Sequence, residues 1–197
     1  MKRLLFALLV ATSLAGCATR WVVDSDVKSF SGIAAVPAGA SYRFERLPSQ
    51  QVSEPQQQQL EAMAGAALER VGLRRDDANP RYSAQIGARV TAELSPWADP
   101  WLYGGGWGGW GGWGYGGGWY GSAFPPASNP WYDREVSIVL RELQSNRVVY
   151  ETSARNEGPY SASGAILPVM FQAALHGFPN PPAIERRVDI ELPVANR

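Results

Sequence analysis

The feature that most constrains the fold is a regular alternation of apolar and polar residues along several separate segments. From Tyr82 to Leu94 every second residue is apolar, and each residue between is polar, charged or glycine. Because successive side chains of a strand point to opposite faces, each such segment predicts a strand with one apolar and one solvated face, as in antiparallel sheets. The predicted strands span residues 20–30, 41–47, 81–94, 133–143, 147–154 and 186–192.

The fourth and fifth predicted strands form a β-hairpin. Residues 144–146 supply a short polar turn between them. In the fifth strand, Val149 is expected to face the core, with Val148 and Tyr150 on the opposite face. The fourth strand is expected to place these residues on one face: Val136, Ile138 and Leu140.

The first of two predicted helices has clear start and stop signals. Ser53 is a good N-cap residue and Gln56 stands three positions later, the spacing of a capping box. Gly72 suits the position just beyond the helix end. The glutamines at 56–59 are expected to lie in solvated first turns, and residues 73–80 in a turn. The predicted apolar stripe consists of Leu60, Met63, Ala64, Ala67, Leu68 and Val71.

The second predicted helix spans Ile166–His176 and ends before Gly177. Pro168 is expected in its first turn, where the missing N–H is tolerated. The order of elements, β-β-α-β-loop-β-β-α-β, predicts an α+β fold. We expect a two-layer sandwich with a mostly antiparallel sheet and two amphipathic helices on one face. The expected buried stripe of the second helix is Ile166, Met170, Phe171 and Ala174.

The N-terminus has the pattern of a secretory signal peptide. Two basic residues precede an apolar run at 4–14, which is too short to span a bilayer core. Ala15 and Gly16 follow, and then Cys17, the only cysteine in the chain. This arrangement resembles a bacterial lipoprotein precursor, in which the cysteine is acylated and becomes the first mature residue. The alternative is an ordinary signal peptide with a chance cysteine.

This resemblance divides the chain into a signal peptide at 1–16 and a single lipoprotein domain at 17–197. Lipoproteins with aspartate after the cysteine tend to stay at the inner membrane, whereas Ala18 follows Cys17 here. The resemblance therefore implies the outer membrane of a Gram-negative bacterium, on its periplasmic side. The membrane is then a partner through the N-terminal lipid.

Charge and cysteine content narrow the possible functions further. Signal-peptide cleavage removes Lys2 and Arg3, which leaves 16 of the 18 basic residues against 18 acidic residues. Nucleic-acid binding is not expected, because phosphate contacts require clustered positive charge. With Cys17 acylated, no thiol remains for a disulfide, so the exported domain is expected to depend on its hydrophobic core.

The region at about 97–131 is unusually rich in glycine and aromatic residues. Glycine makes up about two thirds of residues 104–121. Because ordering glycine costs the most backbone entropy, we expect a mobile loop. Three interpretations are open: a tolerated low-complexity insertion, a segment that enters a membrane interface, or a platform that stacks on sugars or a partner's rings. The candidate contact residues are Trp107, Trp110, Trp113, Tyr115, Trp119 and Tyr120.

No residue pattern in the sequence predicts a catalytic or metal site, and no cofactor is expected. His176 is the only histidine, and its position at a helix end favours a role near the helix dipole over general base catalysis. Asp24 and Asp26 fit a solvated strand face better than a calcium site. Asp76 and Asp77 fit a turn better than a pair of catalytic acids.

The order of several short motifs is similar to a family of uncharacterised bacterial lipoproteins that is defined by one domain of unknown function. The family has no established activity, so the resemblance supplies no catalytic residues. It implies a non-enzymatic, membrane-anchored cell-envelope lipoprotein with a binding or structural role, whose partner is an envelope protein or peptidoglycan. The alternative is an envelope hydrolase that acts on glycan or peptidoglycan through two carboxylates. The motifs are Trp21-Val22-Val23-Asp24, Tyr42-x-Phe44, Leu68 to Leu73, Pro80-x-Tyr82, Val148-Val149-Tyr150 and Phe178-Pro179-x-Pro181.

We predict that Cys17 is acylated and that the mature protein fractionates with the outer membrane. Metabolic labelling with a palmitate analogue should label the native chain and leave a Cys17→Ser variant unlabelled. Label that survives this substitution would contradict the assignment of Cys17 as the anchor.

Overall fold

A seven-stranded mixed sheet forms the framework of the protein. The computed structural model describes residues 21–37, 39–52, 54–95 and 130–192. Along the sheet the strand order is β3-β2-β4-β5-β6-β1-β7. The strands are β1 (Val22–Ser31), β2 (Ser41–Glu45), β3 (Arg74–Arg75), β4 (Tyr82–Leu94), β5 (Pro130–Glu142), β6 (Arg147–Gly158) and β7 (Arg186–Glu191).

Most neighbouring strands run antiparallel, as predicted. The long ladder β4-β5-β6-β1-β7 is antiparallel throughout, whereas β2 pairs in parallel with both β3 and β4. Strand β3 was not predicted, because two arginines in a polar stretch carry no period-two signal. Strand β5 begins at Pro130, within the region assigned to the glycine-rich loop. The rest of that loop lies outside the described residues, so its predicted mobility stays a prediction.

Three helices accompany the sheet: α1 (Pro48–Val52), α2 (Glu54–Arg70) and α3 (Ser163–Ala174). Helices α2 and α3 contact each other, α2 packs on β4, and α3 packs across β5, β6 and β1. The predicted arrangement, with two helices on one sheet face, is therefore confirmed. None of the helices in the described ranges is both long and apolar enough to cross a membrane.

Helix boundaries follow the sequence signals in part. Gly72 and Gly177 have φ values of +89° and +84°, the left-handed conformation that glycine adopts at helix ends. The predicted N-cap, Ser53, lies outside the described residues. The expected place of Pro168 is wrong: α3 begins at Ser163, which puts this proline inside the helix.

The face assigned to Tyr150 from the sequence is also wrong. Tyr150 is fully buried and pairs with Leu140, so both side chains point into the core. The next pair joins Arg141 to Val148, so the register shifts there and Val149 has no partner on β5. An extra residue of this kind is a β-bulge, which reverses the alternation. A period-two pattern cannot reveal such a shift.

The buried face of α2 contains two polar residues that the sequence analysis placed in solvent or left unassigned. Gln57 and Glu61 are 5% and 4% exposed. Arg46 binds Glu61 through both carboxylate oxygens, with Nε to Oε1 at 2.6 Å and a terminal nitrogen to Oε2 at 2.9 Å. Burial raises the pKa of Glu61, but hydrogen bonds and charge from Arg46 outweigh it, so the pKa lies below its usual value.

We predict that Glu61→Gln lowers stability at pH 7 by about 1–3 kcal/mol, because it removes a charged acceptor from Arg46. The folded-state pKa of Glu61 is depressed, so its contribution is present above about pH 4.3 and is lost as the pH falls through the folded value. Denaturant unfolding from pH 7 to pH 3 should therefore show the two proteins converging in acid.

The matched control is Glu69→Gln, which removes an exposed carboxylate from the same helix. This substitution should change the free energy of unfolding at pH 7 by no more than about 0.5 kcal/mol. Unfolding free energies of native and Glu61→Gln proteins that stay equally far apart down to pH 3 would contradict the role of the ion pair.

Candidate functional site

Four aromatic residues gather at one end of the sheet, which we call the aromatic end: Trp21, Trp131, Tyr132 and Tyr160. The strand register brings them together. β1 begins here, and Trp21 C=O accepts a hydrogen bond from Leu192 at 2.8 Å. β6 ends here and pairs Gly158 with Tyr132, and β4 ends here and pairs Leu94 with Pro130. The start of the described chain and both borders of the glycine-rich region therefore meet at this end.

The aromatic end has direct ring and polar contacts. The rings of Trp21 and Tyr160 meet edge to face, with centroids 5.1 Å apart. The indole Nε1 of Trp131 donates to a Glu157 carboxylate oxygen at 3.4 Å. Tyr160 is 57% exposed, which is high for a large aromatic side chain. Tyr132 and Trp131 are successive residues of β5, so Tyr132 lies on the helix-facing side with Arg134, whereas Trp131 lies on the open face with Glu157.

A fully buried arginine on the helix-facing side of the sheet contacts Tyr132 and Tyr160 of the aromatic end. Arg134 is on the helix-facing side of β5, at 0% exposure. Its Nε donates to Ser163 Oγ at 2.9 Å, and its terminal nitrogens donate to Asn156 Oδ1 and the Tyr160 carbonyl oxygen. The guanidinium also lies 5.0 Å from the centre of the Tyr132 ring. One side chain thus ties the Tyr160 loop to the first residue of α3 and to two strands.

The hydrogen-bond acceptors of Arg134 are neutral. Burial lowers the pKa of its guanidinium, while the neighbouring Tyr132 opposes that shift. An arginine stays protonated even so. Among the described residues no carboxylate is within hydrogen-bonding reach of it, so its charge depends on oriented hydroxyl, amide and carbonyl dipoles and on the aromatic ring. Burying a charge in this way costs free energy, and the hydrogen bonds that compensate for this cost hold the neighbouring groups in one arrangement.

The opposite face of the sheet carries ion pairs between neighbouring strands. Arg155 binds both carboxylate oxygens of Asp133, at 3.0 and 3.1 Å, and reaches Glu157 at 2.8 Å. Asp24 pairs with Arg187. These carboxylates are held by arginines on the face of the sheet opposite the helices. No group of three or more acidic, histidine or cysteine residues in the described ranges is arranged to hold a metal.

The remaining polar candidates have structural roles. Asp76 accepts hydrogen bonds from the Ala78 and Asn79 N–H groups, both at 3.0 Å, which confirms it as a turn residue. Asp77 pairs with Arg75 on the surface. His176 is exposed just after α3, and its N–H donates to Ala173 C=O at 3.0 Å.

The predicted contact and anchor residues cannot be placed in the structure. Cys17 and the six candidate aromatic residues, Trp107, Trp110, Trp113, Tyr115, Trp119 and Tyr120, all lie outside the described residues. The aromatic end itself was not predicted from the sequence. Arg134 could have been found, because it continues the inward positions of Val136, Ile138 and Leu140. The contact between Trp21 and Tyr160 could not, because it depends on strand order.

Comparison with protein families gives one match. The model described as a domain of unknown function, DUF4136, matches residues 23–180. No curated protein matches the chain.

Three solved structures are similar at low sequence identity. The PelC dodecamer from Paraburkholderia phytofirmans is 12% identical, with a TM-score of 0.44, over 77% of this chain and 94% of that one. A substituted form of that dodecamer is 14% identical, with a TM-score of 0.43 and the same coverage. A PDZ domain protein from Parabacteroides distasonis is 12% identical, with a TM-score of 0.49, over 92% of this chain but only 42% of its own length.

We predict that Arg134→Ala destabilises the protein by about 2–5 kcal/mol, because it leaves a cavity and removes the donor of three hydrogen bonds. Near-ultraviolet circular dichroism should also lose signal from the aromatic end. The control is Arg141→Ala on the same strand, where the arginine donates to the Asn146 carbonyl oxygen at the surface. Chemical denaturation should show a change within about 1 kcal/mol for this control. Equal decreases in the free energy of unfolding of both variants would contradict a special role for Arg134.

Proposed function

This chain belongs to the DUF4136 family, whose domain has no known function, and we propose that it is a membrane-anchored cell-envelope lipoprotein with a non-catalytic binding role. The observation that carries the proposal is the aromatic end, where the exposed ring of Tyr160 packs edge to face on Trp21, the first described residue. We propose the outer membrane, on its periplasmic side, as the location.

The distance from the predicted anchor supports this proposal. Cys17 precedes Trp21 by four residues. A chain of four residues spans at most about 14 Å, whatever its conformation. An acylated Cys17 would therefore hold the aromatic end close to the lipid headgroups, the region that tryptophan and tyrosine side chains favour.

The borders of the glycine-rich region give a second reason. Leu94 pairs with Pro130, so the intervening segment leaves and re-enters the fold at the aromatic end. We propose that its aromatic residues, Trp107 to Tyr120, contact the same surface. Anchoring at Cys17 raises the effective concentration of these rings at the membrane, so even weak individual contacts would add to the overall binding.

The fixed geometry below the rings suits a binding role. Arg134 holds the Tyr160 backbone against α3, so the exposed ring needs little further ordering when a partner arrives. A pre-ordered contact residue costs less entropy on binding than a mobile one.

The proposal predicts that the mature chain binds lipid vesicles even without its acyl group. In a Cys17→Ser background, tryptophan emission should shift to shorter wavelength when vesicles of phosphatidylethanolamine and phosphatidylglycerol are added. Tyr160→Ala and deletion of residues 103–121 should each weaken partitioning about threefold or more, because binding scales with the apolar surface placed in the interface. Vesicle co-sedimentation measures this partitioning directly.

The matched control is Phe30→Ala. Phe30 is 60% exposed, close to the 57% of Tyr160, but it lies near the opposite end of β1. This substitution should leave partitioning unchanged. If Tyr160→Ala and Phe30→Ala weakened partitioning into vesicles equally, a specific role for the aromatic end would be contradicted. A shift of the tryptophan emission with peptidoglycan or a purified envelope protein, but none with vesicles, would identify the other class of partner. It would exclude the membrane contact.

A further inference from the structure

Strand β4 has an edge that the described part of the chain leaves largely unpaired. It pairs with β5 along its whole length, from Tyr82 to Leu94. On its other side, β2 pairs only with residues 82–85. Beyond that point, among the described residues, the side chain of Gln50 supplies one contact, with Nε2 donating to Ile86 C=O at 2.7 Å. The edge beside residues 88–94 therefore resembles the outer strand of a sheet.

Two hydrogen bonds show which residues of β4 direct their backbone N–H and C=O groups toward the open edge. Leu143 N–H donates to Arg81 C=O at 3.0 Å, so the odd residues of β4 face β5. Ile86 C=O accepts from Gln50 on the opposite side, so the even residues face the open edge. Ala88, Val90 and Ala92 therefore direct their N–H and C=O groups outward, where an extended strand could bind them.

The surroundings of this edge are more apolar than those of the opposite edge. Val90 is 44% exposed, and the nearby residues Leu47 and Val52, which flank Gln50, are 45% and 87% exposed. At the other edge of the sheet, β7 alternates charged residues along its exposed positions. Charges of this kind protect an edge strand from pairing. The β4 edge has less protection, which suits it to an interface.

We propose that this edge binds a second copy of the same chain, through antiparallel pairing of the two β4 strands about a two-fold axis at Thr91. In this register Val90 of each copy pairs with Ala92 of the other through two backbone hydrogen bonds. The same register places Arg89 of one copy directly opposite Glu93 of the other, twice. Arg89 and Glu93 are exposed, and opposite charges in facing positions stabilise antiparallel pairs.

Charge complementarity selects this occupant and this register. Arg89 already pairs within its own copy with Glu135 at 3.0 Å, and the guanidinium has further donors free to bind a second carboxylate. A shift of two residues would place Glu93 opposite Gly87 and lose both cross-pairs. The two-fold axis also lies only three residues from Leu94, about 10 Å along the strand.

The experiment is cysteine cross-linking of the full chain in membranes of the cells that produce it. Thr91 lies on the proposed axis in a pair without direct hydrogen bonds, where the Cα atoms are about 4.5 Å apart, within the range of a disulfide. Thr91→Cys should give a disulfide-linked dimer on mild oxidation, seen by non-reducing electrophoresis. The native chain, with Cys17 alone, and Ser153→Cys on the same sheet face of β6 should not.

A charge substitution tests the register. Glu93→Arg, combined with Thr91→Cys, would place two arginines opposite each other and should lower the yield of dimer about fivefold or more. The control combination is Glu151→Arg with Thr91→Cys, which makes the same charge change away from the edge and should leave the yield unchanged. Circular dichroism confirms that each variant is folded.

Three results would overturn the proposal. The first is the absence of a dimer from folded Thr91→Cys protein. The second is a cross-link to a different envelope protein, which would show that another strand occupies the edge. The third is an unreactive thiol in a monomer, which would show that another part of this chain covers Thr91. None of these outcomes bears on vesicle binding by the aromatic end, so the two proposals can fail separately.

Discussion

The rest of the structure depends on the continuous antiparallel ladder that joins β4, β5 and β6. Strand β5 is paired along both of its sides, so its alternation divides the protein into two environments. Val136, Ile138 and Leu140 face α3 and are fully buried. The residues between them face solvent, where ion pairs connect neighbouring strands. The position of both long helices and the flat open face of the sheet follow from this one division.

Among the described residues, two charged side chains are buried on this side, and each is held by several partners. Glu61 is bound by Arg46 at one end of the core, and Arg134 is bound by neutral groups at the other. Replacing buried charges by well-packed apolar residues is often neutral or stabilising, whereas removing only one partner of a buried pair is strongly destabilising. The arginine lies directly below the aromatic end, which is where a fixed surface matters most for the proposed contact.

The sequence patterns predicted local structure well and long-range structure poorly. The alternation in β4 and β5, the apolar stripes of α2 and α3, and the glycines beyond them all report the period of a single element. The bulge at Val149 escaped detection because it changes the face without changing the composition. Gln57 and Glu61 share the buried stripe of α2 with Ala64 and Leu68, so attention to helical spacing rather than polarity would have placed them. The aromatic end depends on residues 139 positions apart, Trp21 and Tyr160, which no local pattern can bring together.

The position of β1 has a consequence for how the protein is made. This strand comes first in the described chain, yet its two neighbours are β6 and β7, near the end of it. A chain that emerges from a membrane N-terminus first cannot complete this part of the sheet until residue 191 has emerged. Such distant pairings form slowly, because the intervening chain must be closed before any contact is gained. In a chain exported as proposed, this topology would delay completion of the sheet until translocation is nearly finished, and the apolar strands would need protection until then.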